Sequence, residues 1–304
     1  MQELKTHLPT LSYLLLDPTK PFIHRDLSWI QFNERVMQEA LSRSNPLLKR
    51  LKFLSISYSN LDEFFMIRFA SLLRSLSATK IEESKINLTR IHGSVLESVR
   101  KFGLRQARIF ELLRKEAAAK NIFLHLKDAP GSPGFQRGRE IFAEKILPSL
   151  VTKNGFHFGA LSELENLQLL VHVNKELYFV LPRGLPPVFF ESEGESHHAY
   201  FLDDLILLHL DAMLPVKEKP GLLRLTRDAD FTLDMPESDT ESIPDLVRKN
   251  LGSRDRGRIV RLQYHGHFPK EFIQEAADHL KLDLRQTLKA PGTVCLQGLF
   301  GFVN

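Results

Sequence analysis

Apolar residues recur every three or four positions along one stretch of the chain, between positions 88 and 113. They are Leu88, Ile91, Val95, Val99, Phe102, Ile109 and Leu113. This spacing places them on a single face of an α-helix. The stretch therefore predicts one long amphipathic helix, weakened locally by Gly93 and Gly103, that must bury its apolar face against other helices. A coiled coil is the alternative, but the pattern covers too few repeats to favour it.

Shorter helices are predicted before this long one. The run SWIQ at 28–31 is a capping box, and Leu27 and Phe32 stand where a hydrophobic staple would clamp the helix entry. Residues expected to face inward behind it are Trp29, Phe32, Val36 and Ala40. A second helix is predicted to open with Pro46 at its first position, and a third to start at Asn60.

Beyond position 121 the chain changes to short β-rich runs bounded by Pro, Gly or Asp. The runs are NIFLHL, LQLLVHV, ELYFVLP, PPVFFE, RLTRDADFTL and RIVRLQY. Helical stretches are expected between them, around 140–150, 201–214, 241–251 and 270–282. Strands and helices mixed without a regular alternation predict an α+β domain. We thus expect a multi-domain protein: an extension over 1–20, an all-α helical bundle over 21–120 and a mixed α+β head domain over 121–304.

Composition excludes several classes of protein. The formal charge of the 304 residues is only +4, and the charges are interspersed, which argues against a nucleic-acid binder. The single Cys295 rules out an intrachain disulfide and favours a reducing compartment. The N-terminal apolar patch LSYLLL is too short to span a bilayer. We expect a cytoplasmic protein with no transmembrane segment, and keep peripheral association with a membrane as an option.

The usual catalytic signatures are missing from the sequence: there is no Walker phosphate loop, dinucleotide-binding glycine motif, HExxH or nucleophile elbow. His265 and His267 follow a predicted strand and could bind a metal, but no carboxylate or cysteine stands at a ligand spacing. A solvated turn is the favoured interpretation there, as it is for His197 and His198. No residue is assigned to catalysis or to a metal.

The run RLTRDAD offers a more specific hypothesis. Strand alternation sends Arg224, Thr226 and Asp228 to one face, and Leu225, Arg227 and Ala229 to the other. On the less polar face, Arg227 would need a carboxylate partner or an anionic ligand. Pairing with Asp228, Asp230 or a neighbouring strand is favoured over a phosphate contact.

The run YSNLDEFF interrupts two apolar stretches with an amide and two carboxylates. Asn60 and Glu63 have the spacing of a capping box, and Asp62 and Glu63 in a first helical turn would suit the helix dipole. The functional alternative is that the Asn60 amide, which is both donor and acceptor, reads the edge of a heterocycle.

Several of these segments together resemble a known family. HRDLSWIQFNERVMQEA, followed by NPLLKRLKFLSISYSNLDEFFMIRFA, resembles the N-terminal domain of polyphosphate kinases of the first, histidine-phosphorylating class. FVLPRGLPPVFFE, RLTRDADFTL and RIVRLQYHGHFPKEF resemble the head domain of that family, and KAPGTVCLQGLFGFVN its closing segment. The resemblance covers nearly the whole chain beyond the first twenty or so residues.

The resemblance implies an activity and one site residue. Members of the family transfer the γ-phosphate of ATP reversibly onto inorganic polyphosphate, through a phosphohistidine and with Mg²⁺. Their asparagine directly before LDEF contacts the nucleotide, and Asn60 holds that position here. The head domain of the family forms dimer contacts, so a homodimer or homotetramer is expected.

The resemblance also implies what is missing. The phospho-accepting histidine, the phosphate-holding arginines and the polyphosphate tunnel of the family lie in two later, catalytic domains that this sequence does not include. We therefore expect this chain to hold no cofactor by itself and to be inactive alone, supplying part of a nucleotide pocket and a dimer surface. The alternative is a non-catalytic regulatory or binding module that keeps the fold and associates with a full-length kinase.

Overall fold

The computed structural model describes residues 23–213, 219–229 and 257–302. The expected extension at 1–20, the expected helix at 241–251 and Asp230 lie outside these residues. Within them, a helical region is followed by a region of mixed helices and strands, as the sequence predicts. The boundary between two domains at residue 120 stays a prediction.

The helical region holds four α-helices: α1 (Arg25–Gln38), α2 (Leu47–Phe64), α3 (Ala70–Ala78) and α4 (Glu82–Ala118). The long helix predicted from the apolar spacing is confirmed as α4. Its buried face includes the predicted Val95, Val99, Phe102, Ile109 and Leu113, which pack on α1, α2 and α3. Neither Gly93 nor Gly103 interrupts it, because packing along so long a face outweighs the weak helix propensity of single glycines.

Helix α1 begins earlier than predicted. His24 is its N-cap residue, and the His24 Nδ1 accepts a hydrogen bond from the Asp26 backbone N–H at 3.3 Å. The capping box at 28–31 is therefore wrong, and the staple is wrong too, because Phe32 is 48% exposed. The helix instead buries Ile30, Asn33 and Met37, one position along from the expected stripe.

No helix starts at Asn60, so the capping box of Asn60 and Glu63 is also wrong. Helix α2 begins at Leu47, directly after Pro46, and runs through Asn60 to Phe64. A π-helical turn, Phe65–Phe69, then connects it to α3 without a break. The run contains no Gly or Pro, and the modest propensity cost of Asn and Asp is outweighed by buried leucine and phenylalanine.

The mixed region contains two sheets. A three-stranded sheet has the order β1-β6-β5, from β1 (Ile122–His125), β5 (Val188–Glu193) and β6 (Ser196–Phe201). The pair His197 and His198, expected in an exposed turn, instead lies on β6, whose Cα partners on β1 are Ile122 and Phe123. That prediction is wrong because the hairpin turn lies at Gly194, with a φ of 58°, and β6 already begins at Ser196.

The larger sheet has six strands in the order β2-β4-β3-β7-β8-β9, antiparallel except for the β8–β9 pair. Its strands are β2 (Val151–Asn154), β3 (Leu169–His172), β4 (Leu177–Val180), β7 (Gly221–Arg227), β8 (Ile259–Gly266) and β9 (Thr287–Lys289). The remaining α-helices described are α5 (Pro133–Ile141), α6 (Gly159–Glu163), α7 (Leu202–Met213) and α8 (Lys270–His279). None of the helices described is both long enough and apolar enough to cross a bilayer.

The two faces of the large sheet meet different neighbours. One face carries Leu223, Leu225 and Leu262, which join a cluster with α6 and α8. On the other face, β7 and β8 contact the π-helical turn of the helical region. Arg224 and Arg261 extend from this second face, as strand alternation requires. The sheet therefore presents buried cations to the helix that carries Asn60.

Candidate functional site

A cleft of about 510 Å³ opens between α1 and the continuous helix formed by α2, the π-helical turn and α3. Its lining residues are Arg25, Trp29, Phe32, Asn60, Glu63, Phe64, Ile67, Arg68 and Ser71. They recur at helical spacing along two neighbouring helices, so the cleft is a groove between them. The sequence-predicted Asn60 thus lies at a cleft rather than inside the bundle.

A relay of hydrogen bonds holds the Asn60 carboxamide. Its Nδ2 donates to the Asn33 Oδ1 at 3.0 Å, and the Asn33 Nδ2 donates to the Ser57 carbonyl at 2.9 Å. The Ser57 hydroxyl donates to the Leu54 carbonyl and accepts from the Gln106 Nε2 at 2.9 Å. This relay fixes which end of the amide is oxygen. Within the described parts of the chain, the Asn60 Oδ1 makes no hydrogen bond, so it remains available as an acceptor beside the cleft.

Aromatic rings form the wall next to Asn60. Trp29 stacks on the buried Phe64 with a centroid distance of 4.8 Å and an interplanar angle of 22°. Phe32 is nearly half exposed and follows Trp29 on the next turn of α1. The exposure of Phe32 was not predicted, because spacing alone assigned it to the core; Trp29, assigned there too, is partly buried and packs against the core. An exposed phenylalanine ring beside an unbonded amide oxygen can stack a planar group that also donates a hydrogen bond.

The cations of the cleft come from Arg25, at the start of α1, and Arg68, near the start of α3; both side chains are exposed. Both arginines interact electrostatically with Asp26, which lies within the first turn of α1. Burial raises the pKa of Asp26, while His24, Arg25 and Arg68 act in the opposite direction. Two arginines beside a helix N-terminus create a positive field suited to an anion. The exposed Glu63 partly offsets it.

The opposite side of α2 is sealed by charge pairing. The two Asp62 oxygens accept from Arg224, with an Nη2–Oδ2 distance of 2.7 Å, and from Arg261, with an Nη2–Oδ1 distance of 2.5 Å. The guanidinium of Arg261 also lies 4.3 Å from the centroid of the Phe65 ring. Burial alone would raise the pKa of Asp62, but the charges of Arg224 and Arg261 outweigh it and hold that pKa below its ordinary value.

The sequence analysis singled out Arg227 as the arginine that needs a partner; the structure also buries Arg224, which pairs with Asp62. The Arg227 guanidinium donates to the backbone carbonyls of Ser162, Leu164 and Gly257, at 2.7 to 2.9 Å. The predicted faces are nevertheless correct, because Arg224 and Thr226 share the polar cluster that contains Arg261. The sequence did contain one indication of this cluster: Arg224 lies on the face of β7 that is turned towards the helices.

His265 lies near the end of β8 and His267 follows the strand, and the two have different surroundings. His265 is buried and its Nδ1 lies 3.1 Å from the Asp203 Oδ2, so the solvated-turn interpretation is wrong for this residue. His267 is exposed, as expected. Asp203 is also bound by the Thr293 hydroxyl and the Val294 backbone N–H, which anchors the C-terminal segment. Among the residues that the structure describes, no group of three His, Cys, Asp or Glu could hold a metal ion.

Two family models match the chain. The polyphosphate kinase N-terminal domain matches residues 22–125, and the polyphosphate kinase middle domain matches residues 137–302. The polyphosphate kinase of Pseudomonas aeruginosa is 31% identical over 312 residues, covering 94% of this chain and 44% of the relative. That of Streptomyces coelicolor is 31% identical over 297 residues, covering 93% of this chain and 39% of the relative.

A solved structure agrees with these relatives. The crystal structure of polyphosphate kinase from Porphyromonas gingivalis superimposes with a TM-score of 0.64 at 25% identity, covering 92% of this chain and 40% of the other. The chain spans less than half the length of each of these relatives. Because the two family models together cover most of its residues, the chain belongs to the polyphosphate kinase family.

Proposed function

We propose that the cleft between α1 and α2 binds an adenine nucleotide and forms one wall of the ATP pocket in a polyphosphate kinase reaction. The observation that carries this proposal is the Asn60 carboxamide, held by Asn33 and presenting an unbonded oxygen beside the cleft. A cleft of about 510 Å³ lies within the usual range of small-molecule sites, about 300–1,000 Å³. The relatives are named polyphosphate kinases, and a kinase activity supports a nucleotide as the ligand.

The base would be recognised through Asn60. A carboxamide matches adenine by accepting from the exocyclic amine and donating to a ring nitrogen. The bond to Asn33 uses one of the two Nδ2 protons of Asn60, which leaves one donor and the oxygen acceptor. The half-exposed Phe32 offers a ring for stacking on the same base. Guanine presents an oxygen where adenine presents its amine, so the free acceptor favours adenine.

The phosphates would lie towards Arg25 and Arg68. Both arginines line the cleft, and the N-terminus of α1 adds its dipole at the same end. Transfer of a phosphoryl group requires a denser cluster of cations around the developing charge than these two provide. Because the described residues offer no metal-binding cluster, we assign Mg²⁺ no ligand here. The phosphohistidine step and the polyphosphate path are proposed to belong to the parts of the relatives that this chain does not span.

The test is calorimetric titration of ATP and GTP into the chain and into Asn60→Ala. We expect weak ATP binding that the substitution weakens by about five- to tenfold, since one net hydrogen bond contributes about 1 kcal/mol. GTP affinity should change less. The control is Asn87→Ala on α4, outside the cleft. Equal ATP affinity for Asn60→Ala and the parent chain, or no saturable ATP binding, would contradict the proposal.

A second experiment tests whether the Asn60 cleft can form part of a complete active site. The chain is mixed with a separately produced C-terminal portion of a relative, and Mg²⁺-dependent synthesis of polyphosphate from ATP is measured. We expect synthesis by the mixture and none by either part alone. Synthesis by this chain alone would show that its own residues carry the transfer. A mixture that assembles but stays inactive would favour the regulatory-module alternative. The homo-oligomer and the cytoplasmic location remain predictions.

A further inference from the structure

A second cavity, of about 370 Å³, lies between α4 and the segment that runs from β8 through β9 to Leu296. We call it the α4–β9 cavity. Much of its wall is apolar, formed by Val99, Leu104, Phe110, Leu126, Leu288 and Leu296. Tyr58 and Leu61 reach it from α2, on a different side of that helix from the Asn60 cleft. Its size is that of a small-molecule site.

A glycine keeps this cavity open. Gly103 lies in the middle of α4 and lines the cavity, and a Cβ built on it would meet no atom within 4 Å. Glycine in a helix interior is destabilising relative to residues with a side chain. Packing against a neighbour does not demand it here, because the space beyond Gly103 is empty. The missing side chain therefore leaves room rather than permitting close contact.

Among the described residues, several polar groups at the cavity are donors or cations without a partner. Lys127 and Lys289 lie at its rim, exposed, and neither forms an ion pair with any residue of the described segments. The Gln263 Oε1 accepts a hydrogen bond from the Arg224 Nη1, and the Gln263 Nε2 makes no hydrogen bond within those segments. In contrast, Arg100 is paired with Glu97.

The one carboxylate among the lining residues is also occupied. Glu111 is paired with Arg114, with an Oε2–Nη2 distance of 2.8 Å. An occupant that offers an acceptor or a negative charge would therefore match the unpartnered donors and cations around it.

A sealed positive charge lies behind the cavity. Arg261 forms part of the cavity wall and has no exposed surface. It and Arg224 share the single carboxylate of Asp62, so two positive charges and one negative charge leave an excess of one positive charge. Within the described residues, the Arg261 Nη1 has no hydrogen-bond partner. An excess of buried positive charge behind the wall favours an anion over a neutral occupant of the cavity.

We propose that the α4–β9 cavity binds a small organic anion, with its apolar body on the α4 wall and its carboxylate or phosphate towards Gln263, Lys127 and Lys289. The site is independent of the Asn60 cleft. Because the cavity is walled by α4 on one side and by β8 and β9 on the other, its occupant would contact both the helical and the mixed regions.

The test uses the 304-residue chain and three probes of similar shape: naphthoate, naphthyl phosphate and the neutral naphthalenemethanol. Their binding is measured by calorimetry. We expect saturable binding of at least one anion, at least about tenfold tighter than the neutral probe. The preferred anion distinguishes a carboxylate ligand from a phosphate ligand. No saturable binding of either anion, or equal affinity for the neutral probe, would overturn the proposal.

Two variants locate the binding. Gly103→Leu places a side chain in the cavity and should abolish binding or weaken it at least about tenfold, while the folded state is retained because leucine is the better helix former. Its control is Ala118→Leu, exposed on the same helix. Lys289→Met should weaken binding of the anions by about threefold and leave that of the neutral probe unchanged, against Lys85→Met as control.

Unchanged anion affinity in Gly103→Leu would place the bound probe elsewhere and refute the site. Asn60→Ala should leave the affinity for naphthoate unaltered, and Gly103→Leu should leave that for ATP unaltered. The nucleotide proposal and the anion proposal can thus fail separately.

Discussion

Asn60 and Asp62 lie two residues apart on α2 and face opposite kinds of surroundings. Asn60 lines an open cleft and keeps its oxygen unbonded within the described structure. Asp62 is 5% exposed and is held by two arginines from the large sheet. Within one helical turn, Asn60 is available to a ligand, whereas Asp62 is fully used in structural ion pairs. Both residues are polar, so polarity does not distinguish them. The difference is that Asp62 faces the arginines of the large sheet and Asn60 does not.

The largest expected effect concerns the sealed side. Asp62→Asn leaves Arg224 and Arg261 buried without a countercharge, and breaking one partner out of a buried ion pair costs about 3–5 kcal/mol. We expect the free energy of unfolding in urea, followed by circular dichroism, to fall by that amount. The exposed Asp278→Asn should change it by no more than about 0.5 kcal/mol. A loss below about 1 kcal/mol for Asp62→Asn would mean that the pairing contributes little to the fold.

The next effect concerns Asp204, a buried carboxylate that, unlike Asp62, has no arginine partner in the described structure. Burial raises the pKa of Asp204 from 3.8 to about 6, although its carboxylate accepts from the Lys127 backbone N–H at 2.8 Å. Between about pH 4 and pH 6, Asp204 therefore stays protonated in the folded protein, whereas it is ionised in the unfolded chain. The resulting stability is fully present below about pH 4 and is lost as the pH rises towards and beyond 6.

Asp204→Asn removes this dependence while keeping an oxygen for the Lys127 N–H. At pH 7 we expect the variant to be more stable than the parent by about 3 kcal/mol at most, since each pKa unit corresponds to 1.36 kcal/mol. At about pH 4 the two should converge. Urea unfolding at several pH values measures this difference. A difference that stayed constant with pH would rule out titration of Asp204 as its cause.

The smallest effect is expected on the open side. Asn60→Ala loses one partly exposed hydrogen bond, worth about 1 kcal/mol, and gains helix propensity of up to about 0.7 kcal/mol. Its unfolding free energy should stay within about 1 kcal/mol of the parent. Asn33→Ala, which removes a buried amide bonded to the Ser57 carbonyl, should cost about 1–3 kcal/mol. If Asn60→Ala cost as much as Asp62→Asn, both sides of the helix would be structural.

These contrasts mark how far the sequence could predict the structure. Helix α4 followed from spacing because its packing face repeats locally, and β7 and β8 followed from β-rich runs with alternating residues. The Asp62 cluster could not be predicted in the same way. Its partners are 162 and 199 residues away along the chain, and nothing near Asp62 identifies them.

The site was predicted only in part. Asn60 was singled out correctly as a polar residue that needs an explanation, but its local interpretation as a cap was wrong because α2 continues through it. The aromatic wall was missed because Phe32 fits a helical core by spacing, and only the neighbouring helices show that it is exposed. Local rules therefore assign elements well, whereas the exposure of a side chain depends on tertiary packing.

The C-terminal segment of the described chain has a consequence for assembly. Residues Leu296–Phe302 pack along α2, with the Phe300 ring 6.0 Å from the Lys52 Nζ and the Gln297 carbonyl accepting from the Ser55 hydroxyl. Lys52 lies eight residues from Asn60, about 12 Å along the helix axis. A polypeptide joined to this segment would be tethered to the helix that carries Asn60, at an effective concentration in the millimolar range. A separately produced portion lacks that tether, so complementation should require high protein concentrations.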